Sequence, residues 1–280
     1  MVLLLFFLMF LSWPVAAQRI ENVTEKIDAQ GVDRLDIDCD FGMGELVIHP
    51  ENIKEAAILD VTYDSRKFDF NVEYKNRNNT GFLVLESENL RKRNRDGNKI
   101  DNTWELTLST KYSSEMNFEL GACEADIDLG GIPITALTFK VGAASGIIEF
   151  TKVNPVRMRE LVLEIGASSL EVENLGNANF ENLKVSCGAA SCDLDLRGDY
   201  KGESEIEIDV GVGSVDLVLP RGVAVDIEAD EGLFSSIEFH NEDLEEIDND
   251  HYQSPGFDNA KDRIFLSIEV GIGSIDIYWK

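Results

Sequence analysis

The chain has 280 residues, with 53 acids against 25 bases for a formal net charge of −28, 44% apolar residues, 22 glycines, 4 cysteines and 3 histidines. That acidity excludes a nucleic-acid binder, which needs a basic footprint, and a binder of anionic membranes. The ordinary apolar fraction excludes a disordered chain, and the few histidines and cysteines leave little material for a metalloenzyme.

Residues 1–17 read as a secretory signal. Met1 to Trp13 is almost unbroken Leu, Phe, Met and Val, and the small residues Val15 and Ala17 set up cleavage after Ala17. The apolar run is shorter than the ~20 residues of a spanning helix, which disfavours the alternative of an uncleaved anchor. No Cys stands at the cleavage point to take a lipid, and no later stretch is apolar enough to cross a bilayer. The mature protein is therefore expected to be exported, periplasmic or extracellular, with no integral membrane segment after cleavage.

Residues 18–112 form an N-terminal β region. It opens with FGMGELVI (41–48) and continues through alternating runs at Ala57 to Tyr63, Phe68 to Tyr74, Phe82 to Leu85 and Trp104 to Leu108. Turn-rich links at 76–81 and 96–98 separate them. These runs predict a hairpin region that closes one end of the fold, since an open sheet edge invites aggregation. One basic patch interrupts the acidity, Arg91-Lys92-Arg93-Asn94-Arg95 with Lys99 nearby. An exposed loop, or docking onto an acidic surface or an anionic envelope polymer, would each account for it.

Residues 113–280 repeat. The segments LGACEADIDL (120–129), VGAASGIIEF (141–150), IGASSLEVENL (165–175), CGAASCDLDL (187–196), VGVGSVDLVLP (210–220) and VGIGSIDIYW (270–279) share one plan with residues 41–48. Each is an alternating run, a glycine, a corner of small residues and a second alternating run. From Gly121 the anchor glycines fall at steps of 21, 24, 22 and 23 residues, and a degenerate copy, EGLFSSIEF (231–239), fills the gap before the last. Alternation gives strands with one buried and one wet face, and glycine allows the sharp corner. One corner cannot bury its own apolar row, but stacked copies bury a continuous core. The fold class is all-β: a single-chain β-solenoid of about eight short repeats, period about 22 residues, with an N-terminal β-hairpin region. Stacked ~4.8 Å apart, eight copies would make a rod of roughly 40 Å.

The charge sits on the repeats. Residues 1–112 hold 19 acids and 14 bases, and residues 113–280 hold 34 acids and 11 bases. Much of the acid lies at outward strand positions, so stacking would align it in ladders. Two like charges ~5 Å apart in water repel by about 0.8 kcal/mol before screening. A solvated acidic face, divalent-cation binding and recognition of a cationic partner all follow from such ladders. The densest run, Glu242, Asp243, Glu245, Glu246, Asp248 and Asp250, lacks the spacing of an EF-hand or a calcium-binding β-roll, and no metal site is assigned there.

The repeat register puts Cys39, Cys187 and Cys192 at positions otherwise filled by aliphatic or aromatic residues, and Cys123 at a small-residue position. Small buried hydrophobes account for them. A local Cys187–Cys192 bridge is the alternative in an exported chain. No nucleophile elbow, phosphate loop, dinucleotide fingerprint or paired zinc ligands occur. Ser214 and Ser274 sit in repeated corners as turn residues, and His49, His240 and His251 lie at no metal-ligand spacing from one another. Trp104 and Trp279 fall at strand positions expected in the core. Catalytic, cofactor-binding and metal residues are accordingly none, and no cofactor is expected.

The run Trp104-Glu-Leu-Thr-Leu, then LGACEADIDLGG, VGAASGIIEF, IGASSLEVENLGNANFENLKV, CGAASCDLDLRG, VGVGSVDLVLP and the closing GFDNAKDRIFLSIEVGIGSIDIYW, resembles bacterial toast-rack domains. These are related to the C-terminal domains of cell-wall-active antibiotic response proteins and to head-domain putative adhesins. The resemblance covers residues 100–280 well and 19–99 loosely. It implies a right-handed stacked β architecture at the cell envelope with no enzymatic activity, and it brings no catalytic residue to carry over. The expected function is an exported, non-enzymatic envelope binding or adhesion module that meets a protein or polysaccharide through its stacked-sheet surface. An envelope-stress protein that senses or buffers cationic agents such as cationic peptides is the alternative. A carbohydrate-active β-helix enzyme fits less well, because 11 thinly spread bases in the repeat body cannot partner its carboxylates.

Overall fold

The computed structural model describes residues 19–90, 101–240 and 244–280, apart from the side chains of 231 and 233. The signal-like residues 1–17 and the basic patch 91–95 with Lys99 lie outside the described residues, as do Glu242 and Asp243.

Six strands build the N-terminal part: β1 (Ile20–Ile27), β2 (Arg34–Glu51), β3 (Ala57–Asp64), β4 (Phe68–Arg77), β5 (Thr80–Asn89) and β6 (Asn102–Ser109). The strand β2 is bent at Gly42, so its two halves run as separate arms. Its first arm takes β5 as a parallel neighbour and its second arm takes β6. A tight hairpin then joins β4 to β5, turned by Asn78 and Asn79 in the left-handed region (φ 51° and 61°), while β3 and β1 extend the β6 side antiparallel. This is the expected hairpin region, with β1 as a strand the alternation did not reveal.

The remaining units repeat the bent plan of β2. They are β7 (Ser113–Asp128), β8 (Ile134–Val141) with β9 (Ser145–Glu149), β10 (Met158–Ile165) with β11 (Ser169–Glu173), β12 (Phe180–Asp195), β13 (Glu203–Leu219), β14 (Ala224–His240) and, beyond β15 (Glu245–Asp248) and β16 (His251–Gln253), β17 (Arg263–Trp279). Successive rungs pair in parallel from β2 through β7, β8/β9, β10/β11 and β12 to β13. The order then departs from the sequence. β13 pairs with β17, and β14 pairs with the far side of β17.

The all-β expectation holds, but a simple solenoid of consecutive copies does not describe the chain. Four strands intervene between the first rung and the second, and the last rung inserts before the degenerate one. The physical reason lies in the 240–262 segment. It forms the β15–β16 hairpin, which covers the first arm of β14 by pairing β16 with Asp226–Glu228. The first arm of β14 is thereby free on one flank only, and β17 takes that flank along both arms.

Inside the bend, both arms send alternate residues to one core. Leu35, Ile37, Phe118, Phe139, Leu163, Val185, Ile208, Ile268 and Ile227 come from the first arms, and Leu46, Ile127, Val172, Leu194, Leu217 and Ile277 from the second. Each such side chain contributes about 1.5–3 kcal/mol when taken from water. Phe118 and Phe139 stack at 4.8 Å along the ladder. At the N-terminal end buried Trp104 meets Phe41 edge-on at 5.2 Å and donates to Asn102 Oδ1 at 3.2 Å, and Trp279 is buried too. Amide side chains stitch the turns between rungs. Asn154 donates to the Ile134 and Ala178 carbonyls at 2.7 and 3.1 Å, and Asn177 donates to Phe150 at 2.9 Å.

The corners are held chiefly by backbone, with Ser168 Oγ adding a bond to the Gly142 carbonyl at 3.3 Å. Gly142 N–H donates to Leu120 O at 2.7 Å, Gly166 N–H to Val141 O at 2.7 Å and Ala189 N–H to Gly166 O at 2.9 Å. A Cβ on Gly166 would lie 2.6 Å from the Gly142 oxygen, and one on Gly211 or Gly271 would lie 2.8 Å from the oxygen of the glycine below. The second corner glycine of β17, Gly273, also has φ 136°, and a Cβ there would overlap the Gly213 carbonyl. We expect Gly273→Ala to cost about 3 kcal/mol or more, because strain and backbone overlap add. Gly222→Ala, at φ 87° but facing open space, should cost only about 1 kcal/mol. Urea denaturation of both variants measures the difference.

Candidate binding face

The outward face of the second arms is ordered in rows because the ladder keeps its register. On the last three rungs four rows run side by side. Nearest the corner stand Val212, Ile272 and Phe234, then Ser214, Ser274 and Ser236, then Asp216, Asp276 and Glu238, then Val218, Tyr278 and His240. The first row is an apolar ridge left in water: Val212 is 49% exposed, Ile272 51% and Phe234 77%. The serine and acid rows continue onto earlier rungs, through Ser191 and Ser169 and through Asp193 and Glu171. Five carboxylates thus stand in consecutive register from Glu171 to Glu238.

These acids disturb one another. Partial burial, with Asp193 and Asp276 on either side, holds the Asp216 carboxyl above its ordinary range. Glu171 is raised by burial first and by Glu173 and Asp193 next, and Glu149 by burial with Asp128 and Glu173. Basic groups enter only from the margin. Arg197 folds back on Asp195, with Nη2 2.6 Å from Oδ2, and Lys280 lies 5.9 Å from the Tyr278 ring. On the first arms the acid is just as dense, but lysines break it up: Lys140 sits 3.8 Å from Glu119 and Lys184 3.8 Å from Glu207. There too Asp36, Asp40 and Asp209 are raised, by burial first and by neighbouring acids second.

At the end of the ladder His240 gathers two carboxylates. Its Nε2 lies 2.9 Å from Asp276 Oδ1 and 3.9 Å from Glu238 Oε2, while its ring stacks on Tyr278 at 4.6 Å. The three groups could share a divalent ion, and each is solvent-accessible. The other histidines are held singly, His251 by Asp226 at 2.8 Å and His49 by Thr107 at 2.9 Å. In the 245–250 acidic run all of β15 is exposed, and its acids form a hairpin edge.

Edge strands elsewhere are blunted. β15 is acidic at three of its four positions, with Ile247 the exception, and β1 carries Glu21, Glu25 and Lys26 among its exposed or half-exposed positions, which discourages pairing with other chains. Among the described residues, the second arm of β14 has a strand on one side only, and it carries the exposed Phe234. None of these juxtapositions was visible as spacing. Asp276 lies 36 residues from His240, and Phe234 sits in the degenerate copy, where the repeat is least regular.

Bent strands stacked in parallel around a continuous core, with glycine corners and an outward face of rows, define an all-β stacked-rung fold. The chain belongs to the toast-rack family: the family described as the N-terminal domain of toast_rack, DUF2154, matches residues 16–173 and 152–218. The match takes in the N-terminal region that resembled the family only loosely. Among solved structures, a putative cell adhesion protein from Clostridium sporogenes is 20% identical with a TM-score of 0.50, over 94% of this chain and all of that one. A putative adhesin from Bacteroides fragilis (11% identity, TM-score 0.36, 93% of this chain and 98% of that one) and a putative lipid binding protein from Parabacteroides distasonis (14%, 0.39, 92% and 96%) are more distant. At these identities the Clostridium likeness speaks to the fold alone. No curated protein matches the chain. Among the described residues no helix is long and apolar enough to cross a membrane.

The raised carboxyls fix a pH dependence. Each is raised by burial first and by neighbouring acids second, both lacking in the unfolded chain, so its contribution is unfavourable above the folded pKa and is relieved as pH falls towards the unfolded value near 4. Asp64 acts in the opposite sense. Buried and paired with Arg66 at 2.8 Å, it is lowered to about 2, chiefly by that hydrogen bond. Its stabilisation is complete above the unfolded pKa and is lost as pH drops from about 4 to about 2. Melting at low ionic strength should therefore rise by a few degrees from pH 7 to about pH 5 and fall below pH 4. Added sodium chloride should raise it at pH 7 by screening the rows.

Proposed function

We propose that this protein is an exported, non-enzymatic binding module of the cell envelope, and that its second-arm face holds a cationic, amphipathic segment of an envelope protein or polymer. The observation that carries the reading is the pairing of an apolar ridge with an unbroken acid row on one face and in one register. A chain with alternating basic and apolar side chains would set its cations over Asp216, Asp276 and Glu238 and its apolar groups against Val212, Ile272 and Phe234. The serine row between them offers hydroxyls to such a chain. Export rests on the leader-like residues 1–17, and the adhesion-type names of the structural neighbours are in keeping with a surface role.

The alternative role, buffering cationic agents under envelope stress, would draw on the same acids. The ridge favours recognition, because buffering by charge needs no exposed Phe234. Acid ladders steer a cationic partner and set its salt dependence, while the apolar contact supplies the part of affinity that salt does not remove.

The test uses residues 18–280 and a synthetic peptide of alternating lysine and leucine, with polylysine for comparison. Asp216→Asn/Asp276→Asn/Glu238→Gln should weaken the alternating peptide about tenfold and flatten its salt dependence. Phe234→Ser should weaken it several-fold while leaving polylysine unchanged. Glu205→Gln/Glu207→Gln, on the first-arm face, should leave both peptides unchanged. Equal losses from the first-arm and second-arm variants would reduce the face to bulk acidity and remove the proposal.

A further inference from the structure

Two buried sulfurs face each other inside one corner. β12 bends at Gly188, so Cys187 is the last inward residue of its first arm and Cys192 the first fully inward residue of its second beyond the corner alanines. Their exposures are 2% and 0%, and their Sγ atoms lie 3.1 Å apart. The equivalent positions of neighbouring rungs hold Ile165 with Leu170, Val210 with Val215 and Val270 with Ile275. There two aliphatic side chains fill the same space by packing alone. In β12 the sulfurs approach within hydrogen-bonding distance, and closing to a bond of ~2.05 Å needs a movement of only about 1 Å.

We propose that Cys187 and Cys192 form an intramolecular disulfide when the chain meets an oxidising thiol–disulfide environment, fastening the two arms of the β12 rung across its glycine corner. The proposal concerns the covalent state of the fold and stands whether or not the acid row binds a partner.

The pair is also chemically asymmetric. Either thiol can donate to the other sulfur; with Cys192 as the donor, the bond lowers the Cys187 pKa, while that same bond and burial raise Cys192. In that arrangement Cys187 is the sulfur that ionises first. Its thiolate attacks one sulfur of an oxidant disulfide such as oxidised glutathione, breaks the oxidant's S–S bond and releases one thiolate. Cys192 then loses its proton and attacks Cys187 Sγ, expelling the second thiol. In sum two protein thiols give up two electrons and two protons, and the oxidant disulfide is reduced to two thiols. Because both sulfurs are buried, exchange takes place on the folding chain or when the corner opens. Gly188 and Ala189 at that corner are exposed, so the opening required is local. Cys39 and Cys123 provide the internal contrast. Burial pushes their thiols up to about 12 and about 11, which disfavours the thiolate that exchange requires.

The test refolds residues 18–280 from denaturant in a buffer of oxidised and reduced glutathione, then alkylates the free thiols under denaturing conditions and digests without reduction. The expected result is two alkylated cysteines, Cys39 and Cys123, and a linked peptide joining Cys187 to Cys192 with a mass 2 Da below that of the dithiol. Four alkylated cysteines after equilibration would overturn the proposal. So would a linkage that involves Cys39 or Cys123, or glutathione retained on Cys187. This measurement needs no variant. As a second readout, dithiothreitol should lower the melting temperature of the oxidised wild type by several degrees and leave Cys187→Ala/Cys192→Ala unmoved. Equal response of the two proteins would count against the bond.

Discussion

At each corner of the ladder the backbone of one rung rests directly on the backbone of the next. Parallel strands lie ~4.8 Å apart, and where they bend together a Cβ on Gly121, Gly166, Gly211, Gly271 or Gly232 would come within 3 Å of the carbonyl below it, and one on Gly142 or Gly188 within 3.3 Å. The stack of Gly42, Gly121, Gly142, Gly166, Gly188, Gly211, Gly271 and Gly232 is the consequence, and the rest of the structure depends on it. The bend turns two flat arms into walls of one core, so each alternating run buries its inward row on its own second half. It also locks the register, since a one-residue slip would place a side chain in the corner and turn every inward residue outward.

Locked register explains both the stability and the charge. Inward, it lines up aliphatic rows such as Leu170, Cys192, Val215 and Ile275, whose burial contributes a few kcal/mol per rung. Outward, it lines up whatever the sequence places there, and here it places carboxylates. Each neighbouring pair repels by less than a kcal/mol in water, well below what one buried aliphatic residue returns. The fold therefore tolerates a face of one sign, and that face persists as a strong, directed field. The carboxyls of Asp216 and Glu171 are raised by burial first, and the neighbouring acids of that field add to the rise.

Much of this was legible in the sequence, because the information is local. The repeat period, the corner glycines, the four runs of the hairpin region and the inward positions of Cys39, Cys187 and Cys192 all follow from alternation and spacing along the chain. The order of the rungs was not, because it depends on which edges remain free once the β15–β16 hairpin has covered the first arm of β14. An acidic, exposed segment such as Glu245 to Asp248 carries no inward row to announce a strand. The apolar ridge was hidden for a related reason: Val212 and Ile272 read as corner residues, and only their alignment with Phe234 makes a surface. The meeting of His240 with Asp276 likewise depends on β17 lying beside β14.

The insertion of β17 between β13 and β14 is what brings Asp216, Asp276 and Glu238, and with them Val212, Ile272 and Phe234, into adjacent register. Cysteine crosslinking in the serine row measures it most directly, since neighbouring rungs lie within disulfide reach and next-nearest rungs do not. Under mild oxidation Ser214→Cys/Ser274→Cys should crosslink readily, while Ser214→Cys/Ser236→Cys should not. Efficient crosslinking of 214 to 236 with none between 214 and 274 would contradict the rung order, and with it the face on which the proposed function rests.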